Sequence, residues 1–504
     1  MATVANRTIW RELPKLLRGH AAANNAVAKD YSTKGAQPEL FPARLILPEK
    51  HGYIPTLSPS DITAILTTNE TCFESRVPGH HVIKGFDSNQ LPSNYPVEDR
   101  RNHAHLTESD ATVFAVYDGH GGAACAQAVS ERLLNYVAIA LLSPEKLEKF
   151  SRLMRTDKPM EILQWHHNHN DYFSDEMSVL YSSSLQKFVV ETLSTSGFMD
   201  DEVDFTVSGA LKSAFDRLDS DICSEALPMA GSLNMSAFHA AMSGACASVA
   251  HIKGMDLHVA TSGDTRVVLG QREENGEWVS KALSKDQNFD NQSEVERVRN
   301  SHPKSETSFV LKSNRLLGQL IPLRAFGDVR FKWSLRDLKT VVNILDNAYS
   351  QTIIPVNYYT PPYLIATPEV TNHRISKKDQ FMILATDGLW EMIPEDKAVK
   401  LVGNYIEGKE TVDHFSVPDP EMSLSAINDL LRRRKLGLAL KSADTNAATH
   451  LIRNALGPEH KKVSEMLTLP KEISRYYRDD ITVTVVFFDT DYVDNYTDEA
   501  MSAL

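Results

Sequence analysis

The sequence predicts an α+β protein in which groups of strands alternate with groups of helices in layers, rather than a doubly wound parallel sheet. Three observations lead there. Short apolar runs end in, or follow, acidic turns: Val113–Tyr117 precedes Asp118-Gly119, Phe381–Ala385 precedes Thr386-Asp387-Gly388, and Ile481–Phe488 follows Asp479-Asp480. The runs Leu257–Thr261 and Arg266–Leu269 are separated by Ser-Gly-Asp-Thr, the spacing of a hairpin that turns at Gly263-Asp264. Helical stretches at Ala123–Leu142, Val207–Ala226, Glu294–Asn300 and Asp396–Tyr405 lie between these runs.

Each element has a local reason. Val113–Tyr117 is built of β-branched and aromatic residues, and the Asp-Gly after it favours a turn. The Ala-rich run Ala123–Leu142 is interrupted by Gln127, Ser130, Glu131, Arg132 and Asn135, so it reads as an amphipathic helix with one buried face. Neither it nor any other stretch approaches the ~18 uninterrupted apolar residues of a membrane span. In Ile481–Phe488, Ile and Val alternate with Thr, as in a strand with one wetter face. The patterns weaken across 332–362 and 407–446, which are expected to be insertions over a core.

A length of 504 residues suggests about three domains. The net charge of −13 argues against nucleic acid or an anionic membrane as the main partner, short of a local basic patch. That charge is uneven. Residues 1–35 carry Arg7, Arg11, Lys15, Arg18, Lys29 and Lys34 against Glu12 and Asp30, a net +4 that leaves −17 for the remainder. With Ile9, Trp10, Leu13, Leu16 and Leu17 at near-helical spacing, residues 1–35 are expected to be a mitochondrial transit peptide. The 4 cysteines include no C-x-x-C pair, which fits a reducing compartment and speaks against a disulfide scaffold or a cysteine zinc site.

Four carboxylates at strand edges stand out: Asp99, Asp118, Asp387 and Asp480. Acids that converge there repel one another unless cations neutralise them, and such hard oxygen ligands suit Mg2+, Mn2+ or Ca2+. Asp118-Gly119-His120-Gly121-Gly122 adds glycines that allow close backbone approach, just before a helix whose N-terminus favours an anion such as phosphate.

Seven blocks follow one another in a familiar order. Val113–Gly122 contains D-G-H-x-G; Glu98-Asp99, Ser243-Gly244-Ala245, Gly263-Asp264-Thr265-Arg266, Arg324-Ala325-Phe326-Gly327-Asp328, Asp387-Gly388-Leu389-Trp390-Glu391 and Asp479-Asp480-Ile481-Thr482 accompany it. Together they resemble the signatures of the metal-dependent PP2C-type protein serine/threonine phosphatases. The resemblance implies a four-layer αββα sandwich of two central, mainly antiparallel sheets flanked by helices. The domain would cover 57–490 with insertions near 332–362 and 407–446, and 491–504 would be a C-terminal tail. It implies two Mg2+ or Mn2+ per site, bridged by Asp118, with a ligand from the Gly119 carbonyl. Asp387 and Asp480 would hold the first ion. Glu98 and Asp99 would act through water at the second, and Asp264 and Glu391 would form a weaker third site. A water activated between the ions would attack phosphoserine, and His120 would protonate the leaving oxygen. Many members carry an arginine where this chain has Asn94, and that arginine grips the substrate phosphate.

Further segments, among them Gly85–Pro92, Ile162–His166, Phe331–Ser334, Tyr359–Leu364 and Asn446–Arg453, resemble one branch of that family, the pyruvate dehydrogenase phosphatases. That branch implies a mitochondrial matrix enzyme acting on the phosphorylated E1α subunit. It also implies docking to the lipoyl domain of dihydrolipoyl acetyltransferase, with Ca2+ assisting the docking, and a regulatory subunit. Two alternatives stand beside it: a PP2C phosphatase with another target, and a catalytically silent PP2C-like binding module.

Overall fold

The computed structural model describes residues 56–75, 81–154, 160–167, 175–196, 206–345, 352–412, 422–439 and 442–495. The expected leader 1–35 lies outside these residues, as do 496–504 of the expected tail and parts of both expected insertions.

The strands, in chain order, are β1 (Thr71–Glu74), β2 (Ile83–Leu91), β3 (Arg100–Leu106), β4 (Ala111–His120), β5 (Leu163–His167), β6 (Gly244–Lys253), β7 (Asp256–Ser262), β8 (Arg266–Arg272), β9 (Trp278–Ala282), β10 (Leu311–Lys312), β11 (Arg315–Leu316), β12 (Phe326–Gly327), β13 (Glu369–Arg374), β14 (Asp379–Ala385) and β15 (Ile481–Phe488). One sheet has the order β1-β2-β15-β14-β8-β9. A second has the order β13-β7-β6-β4-β3-β5, with β12 paired to β6. The pairings are antiparallel.

The period of two along a strand sorts side chains into layers. On β4 and β6, Phe114, Val116, Ala250 and Ile252 face the other sheet, where they meet Phe86, Val267, Met382 and Val486. Their neighbours Val113, Ala115, Ala247 and Val249 face outward onto the helices Ala124–Ala140 and Val207–Glu225. The outer face of the other sheet carries Ile383, Val483 and Val485 against the helices Glu395–Val412 and Ala447–Leu456. The Asn446 side chain caps the second of these by accepting from the Thr449 amide at 3.0 Å. The result is the expected order of helix, sheet, sheet and helix.

Three local expectations change. The run before Gly263-Asp264 and the run after it do not pair: β7 belongs to one sheet and β8 to the other. The three residues between them, Gly263, Asp264 and Thr265, step across the gap between stacked sheets, about 10 Å. The helix Ala124–Ala140 buries Ser130, Glu131, Arg132 and Asn135 as well as its apolar face. A second helical layer covers it, and Glu225 meets the Arg132 guanidinium with both oxygens, at 2.7 and 2.8 Å. Strand β15 has no wet face either. Thr484 is buried and shares a 2.8 Å hydrogen bond with Ser88, and Thr482 accepts from Gln90 at 3.0 Å. β15 pairs both edges with β2 and β14, and its two faces are covered by the other sheet (Val486, Phe488) and by the outer helices (Val483, Val485).

Of the expected insertion near 332–362, Trp333, Leu338, Val341 and Tyr358 join the core beneath the seven-stranded sheet. Length alone suggested about three domains, yet both sheets share one interior.

Candidate active site

At one end of the sandwich the strand ends enclose a cavity of about 470 Å³. β4 delivers Asp118, Gly119 and His120 to it, held in register against Cys246, Ala245 and Gly244 of β6. β14 leads into Asp387, whose amide donates to Asp118 Oδ2 at 3.3 Å and so ties the two sheets together. Position 119 has to be glycine, because a Cβ there would lie 2.3 Å from the Glu98 carbonyl oxygen. At 244 a Cβ would meet His120 Nε2 at 2.1 Å and Asp328 Oδ2 at 2.2 Å, so glycine there leaves that pair its room.

Asn94, Glu98, Asp118, Gly119, His120, Asp264, Asp387 and Glu391 all line the cavity. Asp99 and Asp480 do not; they lie beneath it, 2% and 1% exposed. Both oxygens of Asp480 are taken up by backbone. Oδ1 accepts from the amides of Ser93 (2.5 Å) and Asn94 (2.8 Å), and Oδ2 from those of Glu98 (2.7 Å) and Asp99 (3.4 Å). Its neighbour Asp479 lines the cavity instead. Only Asp479 of this adjacent pair lines the cavity, because Asp480 turns to the four backbone amides. Asp99 is anchored by the Thr386 hydroxyl, which donates to Oδ2 at 2.8 Å while its oxygen accepts from the Thr482 amide.

Asn94 faces the cavity, but its side-chain amide is committed, donating to Asp479 Oδ1 at 2.8 Å. Sequence reasoning assigned no role to Asp479, Asp328, Arg266 or Arg475. The first three stood inside recognised blocks, and that was the available signal; Arg475 stood outside them and carried none. Asp328 Oδ2 lies 2.5 Å from His120 Nε2. Its backbone is left-handed (φ 49, ψ 42), uncommon without glycine, and is held by an amide bond to the Ser243 carbonyl at 2.9 Å. Arg266 is fully engaged by Asp286 (2.7 and 2.9 Å) and Glu395 (2.9 Å).

The electrostatics are those of crowded acids. Burial pushes Asp118 well above the usual carboxylate range, and Asp387, Asp99 and Asp264 push it further. Asp387 is raised by burial and then by Asp264, Asp479 and Glu391. Burial likewise raises Asp99, Asp264, Glu98, Glu391 and Asp479. For His120, burial alone would depress the imidazolium; Asp328, with its charge and hydrogen bond, outweighs that and raises it. Among the described residues no three acidic, histidine or cysteine side chains already surround one point as an ion would hold them. The chemistry of the donors nonetheless fits hard divalent cations. They are carboxylate and carbonyl oxygens, and the largest charges acting on Asp118 are other carboxylates, which a cation would offset.

Comparison with known proteins agrees with this chemistry. The family model for protein phosphatase 2C matches residues 149–432. The chain is 44% identical over 464 residues to mitochondrial pyruvate dehydrogenase (acetyl-transferring) phosphatase 1 of Bos taurus, covering 88% of this chain and 85% of that one. It is 40% identical to the corresponding phosphatase 2 of Homo sapiens, covering 87% and 85%. To phosphatase 1 of Saccharomyces cerevisiae it is 29% identical, covering 84% and 74%.

Proposed function

Given that this chain belongs to the protein phosphatase 2C family, we propose that it is a metal-dependent serine/threonine phosphatase of the mitochondrial matrix. Its substrate is the phosphorylated E1α subunit of the pyruvate dehydrogenase complex, which it reactivates. The single observation that carries the reading is the meeting of Asp118, Asp387, Asp479 and Glu98 in one cavity of a chain whose full-length relatives at 40–44% identity are pyruvate dehydrogenase phosphatases. The relatives' names support the substrate and the compartment. No helix among the described residues is long and apolar enough to cross a membrane.

Two Mg2+ or Mn2+ would be held by Asp118, the Gly119 carbonyl, Asp387 and Asp479, with Glu98 and Asp99 behind them. Asp264 and Glu391 would serve a weaker third position. Asp479 takes the place expected for Asp480, because Asp480 spends both oxygens on backbone amides. When bound, the cations supply a nucleophilic water near neutral pH and neutralise charge on the phosphoryl oxygens. The chain's own groups do the rest. Asp480 clamps Ser93–Asp99 so that Glu98 and Asn94 face the cavity. Asp328 orients His120 and, by its charge and hydrogen bond, favours the protonated imidazole that would donate to the serine oxygen as it leaves. Docking to the lipoyl domain of dihydrolipoyl acetyltransferase, assisted by Ca2+, and pairing with a regulatory subunit extend the same reading.

The test is release of phosphate from phosphorylated E1α with Mg2+, then with EDTA, and with Ca2+ plus isolated lipoyl domain. Metal-dependent release is expected. Activity that survives EDTA removes the metal mechanism, and activity on generic phosphopeptides but not on E1α removes the substrate.

A further inference from the structure

A phosphoryl dianion entering this cavity meets Glu98, Asp118, Asp264, Asp387, Glu391 and Asp479, so its recognition requires a cation that those acids do not already neutralise. Three arginines line the cavity: Arg266, Arg315 and Arg475. Arg266 is saturated by Asp286 and Glu395. The Arg315 guanidinium keeps its charge, but one donor ties it to the Gln319 carbonyl of its own loop at 2.9 Å. The Arg475 side chain is exposed and makes no hydrogen bond or ion pair with the described residues; only the longer-range charges of Glu98 and Asp479 act with it.

Its position is set by two ties between separate parts of the chain. The Ser474 hydroxyl donates to the Ser93 carbonyl at 2.5 Å, which puts residues 475 and 94 side by side. Lys471 Nζ sits 4.6 Å from the centre of the Tyr95 ring and pins the same two segments again. We propose that Arg475 is the residue that grips the substrate phosphate, supplying from the C-terminal segment the guanidinium that position 94 lacks. Asn94 cannot do this, being neutral and already donating to Asp479. A guanidinium presents paired N–H donors to a phosphate edge, and an uncommitted one loses no ion pair on doing so. The inference rests on the phosphatase reading of the same cavity.

The experiment compares wild type, Arg475→Ala, Arg475→Lys and Arg475→Ala/Asn94→Arg. The readouts are hydrolysis of p-nitrophenyl phosphate in saturating Mg2+ and calorimetric titration with inorganic phosphate. Arg475→Ala is expected to raise KM and weaken phosphate binding by about tenfold or more, with kcat and melting temperature nearly unchanged. Lysine should restore part of the loss, and arginine at position 94 should restore most of it. Unchanged KM and phosphate affinity would overturn the proposal. So would an effect confined to the Mg2+ concentration needed for half-activity, since Arg475 would then merely temper Glu98 and Asp479. If wild type hydrolyses nothing with Mg2+, the phosphatase reading fails instead, and the phosphate titration still decides the role of Arg475.

Discussion

Asp328 Oδ2 stands 2.5 Å from His120 Nε2, reaching it from a segment 208 residues away in the sequence. The imidazole is therefore oriented by a carboxylate held in left-handed backbone. Asp328→Asn should lower kcat for a phosphoserine peptide by about 10²-fold. The loss should be much smaller for p-nitrophenyl phosphate, whose leaving group departs without a proton. Equal losses on both substrates would show that His120 is not the acid.

Asp118→Asn should abolish turnover. It should also change how stability responds to metal. In EDTA the variant should melt no lower than wild type, because a buried, repelled charge is gone. Mg2+ should raise the wild-type melting temperature by several degrees and the variant's by about one degree or less. A metal-induced shift of wild-type size in the variant would remove Asp118 from the ligand set.

Neighbouring aspartates should behave differently. Asp480→Ala leaves four amides without their acceptor and should cost on the order of 3 kcal/mol of stability, measured by urea unfolding. Asp479→Ala should unfold normally and instead require about tenfold or more Mg2+ for half-activity. The reverse pattern would restore Asp480 as the ligand.

Asp87 gives a pH dependence away from the cavity. Burial raises its carboxyl to about 6, partly offset by the Ala447 amide that donates to it at 2.7 Å. The folded state thus binds a proton that the unfolded chain has already released, and stability falls as pH rises from about 4 through 6. Asp87→Asn should be more stable than wild type at pH 8, by about 1–3 kcal/mol, with the difference shrinking towards pH 4. A gain independent of pH would mean that Asp87 does not titrate as described.

Much of this architecture is legible in the order of residues. Val113–Tyr117, Phe381–Ala385 and Ile481–Phe488 all lie within strands, and the acids beside them arrive at one end of the sandwich. What was hidden is what depends on partners distant in sequence. Apolar spacing predicts a hairpin at Gly263-Asp264 whether the second run pairs back or crosses to another sheet, and only the competing partners β6 and β14 decide. The polar residues of Ala124–Ala140 look solvent-facing until Glu225 is placed against Arg132. Between Asp479 and Asp480, composition cannot tell which one faces the cavity; the four amides that capture Asp480 come from 381 to 387 residues earlier.

The placement of β15 has an implication for the life of the protein before it is an enzyme. Among the described residues this is the last strand, the wedge between β2 and β14, and Asp479 just before it lines the cavity. Until it arrives, β2 and β14 each present an open edge, the kind of surface that invites aggregation. A chain emerging from a ribosome or threading through a pore therefore needs sheltering until residues 481–488 are through. A product that ends before residue 479 lacks both Asp479 and this strand, so it is expected to be inactive.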